Sequence, residues 1–109
     1  MMDDSQVEIF HLQAEICKCL ADPKRLMIIH ELESGEKSVG ELAEVLGLKQ
    51  SNTSQHLAIL RNAGVIIPRR EGSTVFYSLV NPRISDACHL VRSVIADQIH
   101  RTQSLAGSF

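Results

Sequence analysis

The segment Gln50–Arg61, QSNTSQHLAILR, decides the fold of this chain. A helix turns by about 100° per residue, so a helix that buries Leu57 also turns Thr53 and Leu60 inward. The opposite side then carries small polar and amide side chains, namely Ser51, Asn52, Gln55 and Asn62. Amide side chains can pair bidentately with adenine in the major groove, and serine can donate or accept a hydrogen bond there. The segment therefore predicts the recognition helix of a DNA-binding motif, with a solvated surface helix as the alternative.

The residues before this segment predict three more helices. Gln6–Leu20 has apolar residues at spacings of three and four, which indicates a helix. Asp22-Pro23 predicts the start of a second helix, which ends near Ser34-Gly35. Ser38, followed by Glu41 three residues later, predicts a capping box that begins a third helix. This helix stops at Gly47, and the short turn 47–49 joins it to the recognition helix in a helix-turn-helix layout.

After Gly64, the predicted C-cap of the recognition helix, the pattern becomes strand-like. Val65–Ile67 and Thr74–Leu79 are rich in β-branched and aromatic residues, and the polar segment Pro68–Ser73 predicts the turn between two strands. We expect this two-stranded hairpin, about residues 65–79, to be the wing of a winged helix. Arg69 and Arg70 at its tip would contact backbone phosphates or enter the minor groove. The alternative is an ordinary basic turn on a surface hairpin.

Asn81-Pro82 predicts the start of a last helix, over about residues 82–103. An apolar stripe runs along it, formed by Ile84, Cys88, Val91, Ile95 and Ile99. Such a stripe needs cover, and the first helix, about residues 6–20, can supply only part of it. We expect a second copy of the chain to cover the rest. A twofold dimer would also place two recognition helices about one turn of DNA apart, which suits an inverted repeat.

The composition is compatible with this interpretation. A chain of 109 residues is expected to form one domain, mainly α with a small β-hairpin, and is short for an enzyme with a deep cleft. The net charge of −2 is unevenly distributed, because residues 48–74 carry four Lys or Arg against one Glu, a balance of +3. No apolar run approaches the roughly 20 residues that span a membrane. The acidic N-terminal segment MMDDSQVE lacks the layout of a signal peptide, which predicts a cytoplasmic protein.

Several motifs of this chain, taken in order, resemble those of the ArsR/SmtB family of bacterial and archaeal repressors. They lie at Leu20–Leu26, Ser38–Ala43, Ser51–Leu57, Leu60–Val65, Arg69–Gly72 and Phe76–Leu79. The resemblance covers roughly residues 15–100 and implies a dimeric winged-helix repressor, with the first and last helices forming the dimer interface. It also implies double-stranded DNA as partner and an inducer that releases the protein from its operator.

The resemblance implies which residues contact DNA. The family pattern places such contacts on Gln50, Ser51, Ser54, Gln55 and His56, and wing contacts on Arg69 and Arg70. The outward direction of Asn52 on the same helix adds it to the predicted set.

The inducer is not determined by these motifs. Family members that sense soft metals carry a Cys-x-Cys motif near the start of the third helix, and Ser38–Leu42 contains no cysteine. Members that sense zinc use Asp and His of the last helix at fixed spacings across the dimer, and this chain offers Asp86, His89, Asp97 and His100. Alignment from Tyr77–Leu79, however, places Asn81 and Arg83 where the first Asp and His should be. Members that sense sulfane sulfur have a cysteine in the second helix at the position of His30.

Three cysteines provide a separate hypothesis. Cys17 and Cys19 lie near the end of the first helix and Cys88 near the start of the last. Three thiols would suit arsenite or another thiophilic ion, and two could form a regulatory disulfide. Residues two apart on a helix point about 200° apart, so Cys17 and Cys19 cannot both face one ion unless the helix end unwinds. The alternative is that the cysteines are small apolar core residues and sense nothing. The fold requires no metal or cofactor.

Two other classes of function are less compatible with this sequence. An enzyme is not indicated, because the histidines are scattered and no nucleophile–base order or phosphate-binding glycine loop occurs. A winged helix that binds only proteins is disfavoured by the polar recognition helix and the basic wing. A steep fall of DNA affinity with salt would separate that class from a DNA-binding regulator.

Overall fold

The computed structural model describes the backbone of residues 1–107 and the side chains of residues 1–103. Its elements, in chain order, are α1 (Asp4–Leu20), α2 (Pro23–Leu32), β1 (Lys37–Ser38), α3 (Val39–Leu46), α4 (Gln50–Asn62), β2 (Ile66–Glu71), β3 (Thr74–Leu79) and α5 (Arg83–Gly107). Helices α3 and α4 form the predicted helix-turn-helix, and β2 and β3 form the wing. The predicted fold class, mainly helical with a small antiparallel hairpin, is confirmed.

Side-chain caps set the starts of the helices. The Ser38 hydroxyl accepts a hydrogen bond from the Glu41 amide at 3.2 Å, and the Glu41 carboxylate accepts one from the Ser38 amide at 3.1 Å, so the predicted capping box is present. The Asp22 carboxylate likewise caps α2. Helix α1 begins at Asp4, two residues before the predicted start, because Asp3 and Gln6 form a second capping box.

The buried side of α4 is the predicted one. Thr53, Leu57 and Leu60 each have no exposed surface, and the Thr53 hydroxyl donates to the Lys49 carbonyl at 3.0 Å. The two leucines belong to a core that joins α1, α2, α3, α4 and the base of the wing, together with Cys19, Ile28, Ile29, Leu32, Leu42, Val65 and Ile66. This packing fixes the rotation of α4 about its axis and leaves its polar side at the surface.

The sheet has a strand that the sequence pattern did not indicate. Its order is β1-β3-β2, all antiparallel, and β1 pairs Lys37 with Tyr77 and Ser38 with Phe76. The predicted two-stranded hairpin is therefore extended to three strands. A strand of two residues is too short to show any periodicity, and only its pairing with β3 defines it.

The predicted turn of the wing was wrong in its bounds. Pro68–Glu71 was expected in the turn but belongs to β2, where Arg69 pairs with Phe76 and Arg70 with Val75. The turn is reduced to Gly72 and Ser73, and Gly72 adopts a φ of 61°, which a two-residue hairpin loop commonly requires. Pro68 is tolerated within the strand because β2 lies at the edge of the sheet.

Helix α5 extends beyond the predicted end and carries much exposed apolar surface. Leu90, Val91, Val94, Ile95 and Ile99 each expose between 47% and 68% of their surface. Within residues 1–107, none of the helices is both long and apolar enough to cross a membrane.

Candidate nucleic-acid interface

The N-terminal half of α4 presents a continuous polar surface. Gln50, Ser51, Asn52, Ser54 and Gln55 are all exposed, whereas Thr53 between them is buried. Five of the six predicted helix contacts are therefore available to a ligand on one side of the protein. Their side chains are donors and acceptors without charge, which is the chemistry that reads base edges in a major groove.

The N-terminus of α4 is open to an anion. Gly47 ends α3 in the left-handed conformation, with a φ of 66°, and the chain turns sharply into α4. Lys49 is the N-cap residue of α4, and no side chain caps this end. The first amides of a helix lack intrahelical partners, and the helix dipole makes this end positive. The same end that carries the polar side chains is thus suited to a backbone phosphate.

His56, the sixth predicted contact on α4, is held by a neighbouring helix. It is half-buried, and the Arg25 guanidinium donates to its Nδ1 at 3.3 Å. Arg25 also donates to the Cys19 carbonyl and lies 4.0 Å from the Asp22 carboxylate. Because arginine only donates, the neutral ring carries its proton on Nε2. The sequence did not predict this positioning role of Arg25, whose only signal there is its place in the Leu20–Leu26 motif.

The two arginines of the wing have different environments. The Arg69 guanidinium forms ion pairs with the carboxylates of Glu36 and Glu71 and stacks 5.1 Å from the Phe76 ring centroid. Hydrogen bonding to Glu36, and then to Glu71, raises the pKa of Arg69, and the same contact with Arg69 lowers the pKa of Glu36. The charge of Arg69 is thus largely neutralised within the protein.

Arg70 lies on the other face of the wing, because neighbouring residues of a strand point to opposite sides. It forms no ion pair with the side chains of residues 1–103. Together with Arg61 from the end of α4 it lines a cleft of about 280 Å³ beside Tyr77. Arg61 was not among the predicted contacts. Its position next to Arg70 depends on how the wing folds back against α4.

Two of the three cysteines line the same cavity. Exposed Cys17 and buried Cys88 line one apolar cavity of about 220 Å³ between α1, α2 and α5. Cys19 instead packs into the core and borders a different cleft. This separation agrees with the predicted 200° between Cys17 and Cys19. Burial raises the pKa of both the Cys19 and the Cys88 thiols, which disfavours their reactive thiolate forms.

The acidic and histidine residues predicted along α5 were expected to act across the dimer, and within residues 1–103 of the single chain only His89 has a partner from another element. His89 leaves this set and bonds to Glu33 at the end of α2, at 2.9 Å. Asp86, Asp97 and His100 remain exposed on α5.

A helix-turn-helix with an exposed polar recognition helix and a two-stranded wing defines the winged helix-turn-helix class of DNA-binding domains. The family model described as "Bacterial regulatory protein, arsR family" matches residues 22–67. An HTH-type transcriptional regulator of Mycobacterium tuberculosis is 42% identical over 89 residues, which are 81% of this chain and 78% of that protein. The chain belongs to the ArsR family of bacterial transcriptional regulators.

Two further relatives are informative. A biofilm growth-associated repressor of Agrobacterium fabrum is 41% identical over 83 residues, which are 76% of this chain and 68% of that protein. The solution structure of a homodimeric winged helix-turn-helix DNA-binding domain from Mycobacterium bovis matches with a TM-score of 0.81 and 26% identity. That match covers 92% of this chain and 93% of the other.

Proposed function

We propose that this protein is a transcriptional repressor that binds an inverted-repeat operator as a homodimer and leaves it when an inducer binds. The exposed polar surface of Gln50–Gln55, at an open helix N-terminus, is the observation that carries the proposal. The repressor named among its relatives supports the direction of regulation. In this role the whole chain acts as one DNA-binding domain in the cytoplasm, without enzymatic activity.

The recognition helix α4 would lie in the major groove with its N-terminal half toward the bases. Gln50, Asn52 and Gln55 have the amide groups that can recognise adenine, and Ser51 and Ser54 have hydroxyls for bases or phosphates. His56 is fixed through Nδ1 by Arg25, so its Nε2 is the atom left for a DNA contact.

The wing would contribute unequally. Arg70, beside Arg61 in the cleft between wing and helix, is the stronger candidate for a phosphate contact. Arg69 could contact DNA only in exchange for its bonds to Glu36 and Glu71. We therefore rank Arg70 above Arg69, a difference that the sequence pattern does not predict.

The dimer would form through α1 and α5. Both helices expose large apolar side chains, including Val7, Phe10 and Leu12 on α1 and Leu90 and Val94 on α5. Large exposed apolar side chains of this kind are typical of a protein–protein interface. The homodimeric structure from Mycobacterium bovis supports a dimer, without indicating which helices form it.

The inducer could act through thiols. Cys17 and Cys88 share a cavity between the two proposed dimer helices and α2, so a thiophilic ion or a disulfide there would act on the dimer geometry. Cys19 has no part in this cavity and is a core residue. A regulator without metal or thiol sensing remains the alternative, and it predicts DNA binding that thiophiles do not change.

The experiment is fluorescence anisotropy of the reduced protein on labelled DNA from upstream of its own gene. Gln55→Ala should weaken binding by about 5- to 150-fold, since one bidentate base contact is worth about 1–3 kcal/mol. Asn62→Ala is the matched control, because it removes an exposed amide from the far end of the same helix. Equal losses in both variants would contradict recognition through the N-terminal half of α4.

Two additions extend this measurement. Affinity that falls steeply between low and high salt is expected of a DNA-binding regulator, and its absence would favour a protein-binding winged helix. Arsenite, Zn²⁺ and a persulfide donor are then added in turn. Release by arsenite or persulfide that Cys88→Ser abolishes would support thiol sensing, and release that survives this substitution would exclude it.

A further inference from the structure

A compact polar cluster joins the end of α2 to the first turns of α5. It consists of His30 and Glu33 from one side and His89 from the other, and their potential ligand atoms all lie within 4.8 Å of one another. The His89 Nε2 is 2.9 Å from one Glu33 carboxylate oxygen and 3.0 Å from the other, and the His30 Nδ1 is 3.6 Å from Glu33. The wing, the recognition helix and the cysteine cavity do not use this cluster.

We propose that His30, Glu33 and His89 form a binding site for a divalent transition-metal ion of the Zn²⁺ class. Two imidazole nitrogens and one carboxylate are a donor set that Zn²⁺ accepts in proteins, with a fourth position left for water or another ligand. The site differs from the aspartate and histidine set predicted along α5, because two of its three ligands come from α2.

Glu33 is the centre of the cluster, because both histidines contact its carboxylate. The His89 Nε2 is within hydrogen-bonding distance of both Glu33 carboxylate oxygens, and His30 lies on the same carboxylate, so the three side chains already converge. The buried Ser85 lies next to this carboxylate. The spacing of three residues between His30 and Glu33 turns both toward α5.

One neighbouring group competes with a metal. The Arg92 guanidinium lies 3.1 Å from the His89 Nδ1 and 3.7 Å from Glu33. It supplies positive charge to the carboxylate in the absence of an ion, and a bound ion would take its place. Its side chain is 42% exposed, so it can swing into solvent. Metal binding through His89 Nε2 also moves the ring proton to Nδ1, which breaks the bond from Arg92.

The position of the cluster between α2 and α5 suggests how a bound ion would change DNA binding. This step rests on the proposed function. Helix α2 packs on α3 and α4 of the helix-turn-helix, whereas α5 carries the proposed dimer surface. An ion that ties α2 to α5 would set the spacing of the two recognition helices in the dimer.

Binding itself is tested without DNA. The reduced, metal-free full-length protein is titrated with Zn²⁺ against a chromophoric chelator, and with Co²⁺ to record its ligand-field spectrum. We expect one ion per chain and no thiolate-to-cobalt charge-transfer band. Separate Glu33→Gln and His89→Gln substitutions should each weaken binding by at least about tenfold. His100→Gln is the matched control, an exposed histidine of the same helix, and should bind like the parent protein.

Arg92→Gln should change metal affinity in the opposite direction, because removing a competing positive charge should tighten metal binding. Circular dichroism of each variant without metal confirms that it is folded. Each of four results would overturn the site. These are the absence of stoichiometric metal binding, a thiolate-to-cobalt band, an equal loss of metal affinity in His100→Gln, and unchanged metal affinity in a folded Arg92→Gln variant. Metal binding that leaves DNA affinity unchanged would keep the site and overturn only its coupling to DNA. Absence of DNA binding both with and without the metal would count against the proposed function instead.

Discussion

Single residues of this protein have roles that depend on their partners more than on their type. Arg69 and Arg70 are adjacent arginines of one strand, but one is paired with two carboxylates and the other faces a cleft. Cys17 and Cys19 are separated by one residue, but one is exposed at a cavity and the other is part of the core. The sequence identified all four as candidate site residues. In each pair, the contacts show that one residue is held by other protein groups and the other faces a cleft or cavity.

For the wing, we predict that Arg70→Ala weakens DNA binding to about the same extent for all sequences and lowers the salt slope by about one, since one phosphate contact is lost. The slope is measured by anisotropy at a series of salt concentrations. Arg101→Ala removes the same charge near the far end of α5 and is the control. Glu36→Gln should raise affinity, because it releases Arg69 from one of its two carboxylates. An unchanged slope in Arg70→Ala would exclude a phosphate contact at this residue.

For the thiols, we predict that Cys17 is alkylated before Cys19 and Cys88. The pKa values of the two buried thiols are raised, so at a given pH a smaller fraction is thiolate, the form that reacts. Raising the pH should therefore speed the labelling of Cys19 and Cys88. Timed iodoacetamide labelling of the native protein, read by mass spectrometry of peptides, measures the order. Equal rates for Cys17 and Cys88 would show that the cavity does not protect Cys88.

At the level of elements, local signals placed the helices and tertiary pairing completed the sheet. The caps at Asp22 and Ser38 are side-chain hydrogen bonds between residues two or three apart, so the sequence alone reveals them. Strand β1 exists only through its pairing with β3, almost forty residues further along the chain. Caps and periodicity therefore do not predict it. Ser38 is both the last residue of β1 and the N-cap of α3, so this cap lies at the junction of the strand and the helix.

We predict that Ser38→Ala lowers the free energy of unfolding by about 1 kcal/mol, the usual value of an N-cap side chain. The loss comes from the Glu41 amide, which no longer has its acceptor. Urea unfolding followed by circular dichroism measures the change. Ser73→Ala removes an exposed serine hydroxyl in the turn of the wing, which forms no side-chain hydrogen bond within residues 1–103, and should stay within about 0.5 kcal/mol of the parent protein. A neutral Ser38→Ala would mean that the capping box adds no stability.

At the level of the whole molecule, the single chain leaves apolar surface that its own core does not cover. The core joins α1 to α4 and the wing, and much of the apolar side of α5 remains outside it. An exposed stripe on the last helix, together with exposed apolar residues on the first, is the reason to expect a functional dimer rather than a monomer.

We predict that Val94→Asp converts the dimer into monomers and lowers operator affinity, because it places a charge among the exposed apolar side chains of α5, next to the stripe. Sedimentation velocity measures the mass, and anisotropy measures DNA binding. Ser93→Asp adds the same charge one residue away, off the stripe, and should remain dimeric. A Val94→Asp protein that still sediments as a dimer would place the interface elsewhere.

Local sequence is enough to predict the helices, the inward face of α4 and the presence of a hairpin, because caps and apolar periodicity act between residues close in the chain. The bounds of the wing strands and the pairing of β1, by contrast, are not predicted. Thr53, Leu57 and Leu60 were buried as their spacing required. Tertiary structure alone decided which charged and polar groups meet. The pairing of Arg69 with Glu36, of Arg25 with His56 and of His89 with Glu33 joins residues 31 to 56 positions apart. Such contacts are set by how whole elements pack, and periodicity along one element carries no information about its neighbours.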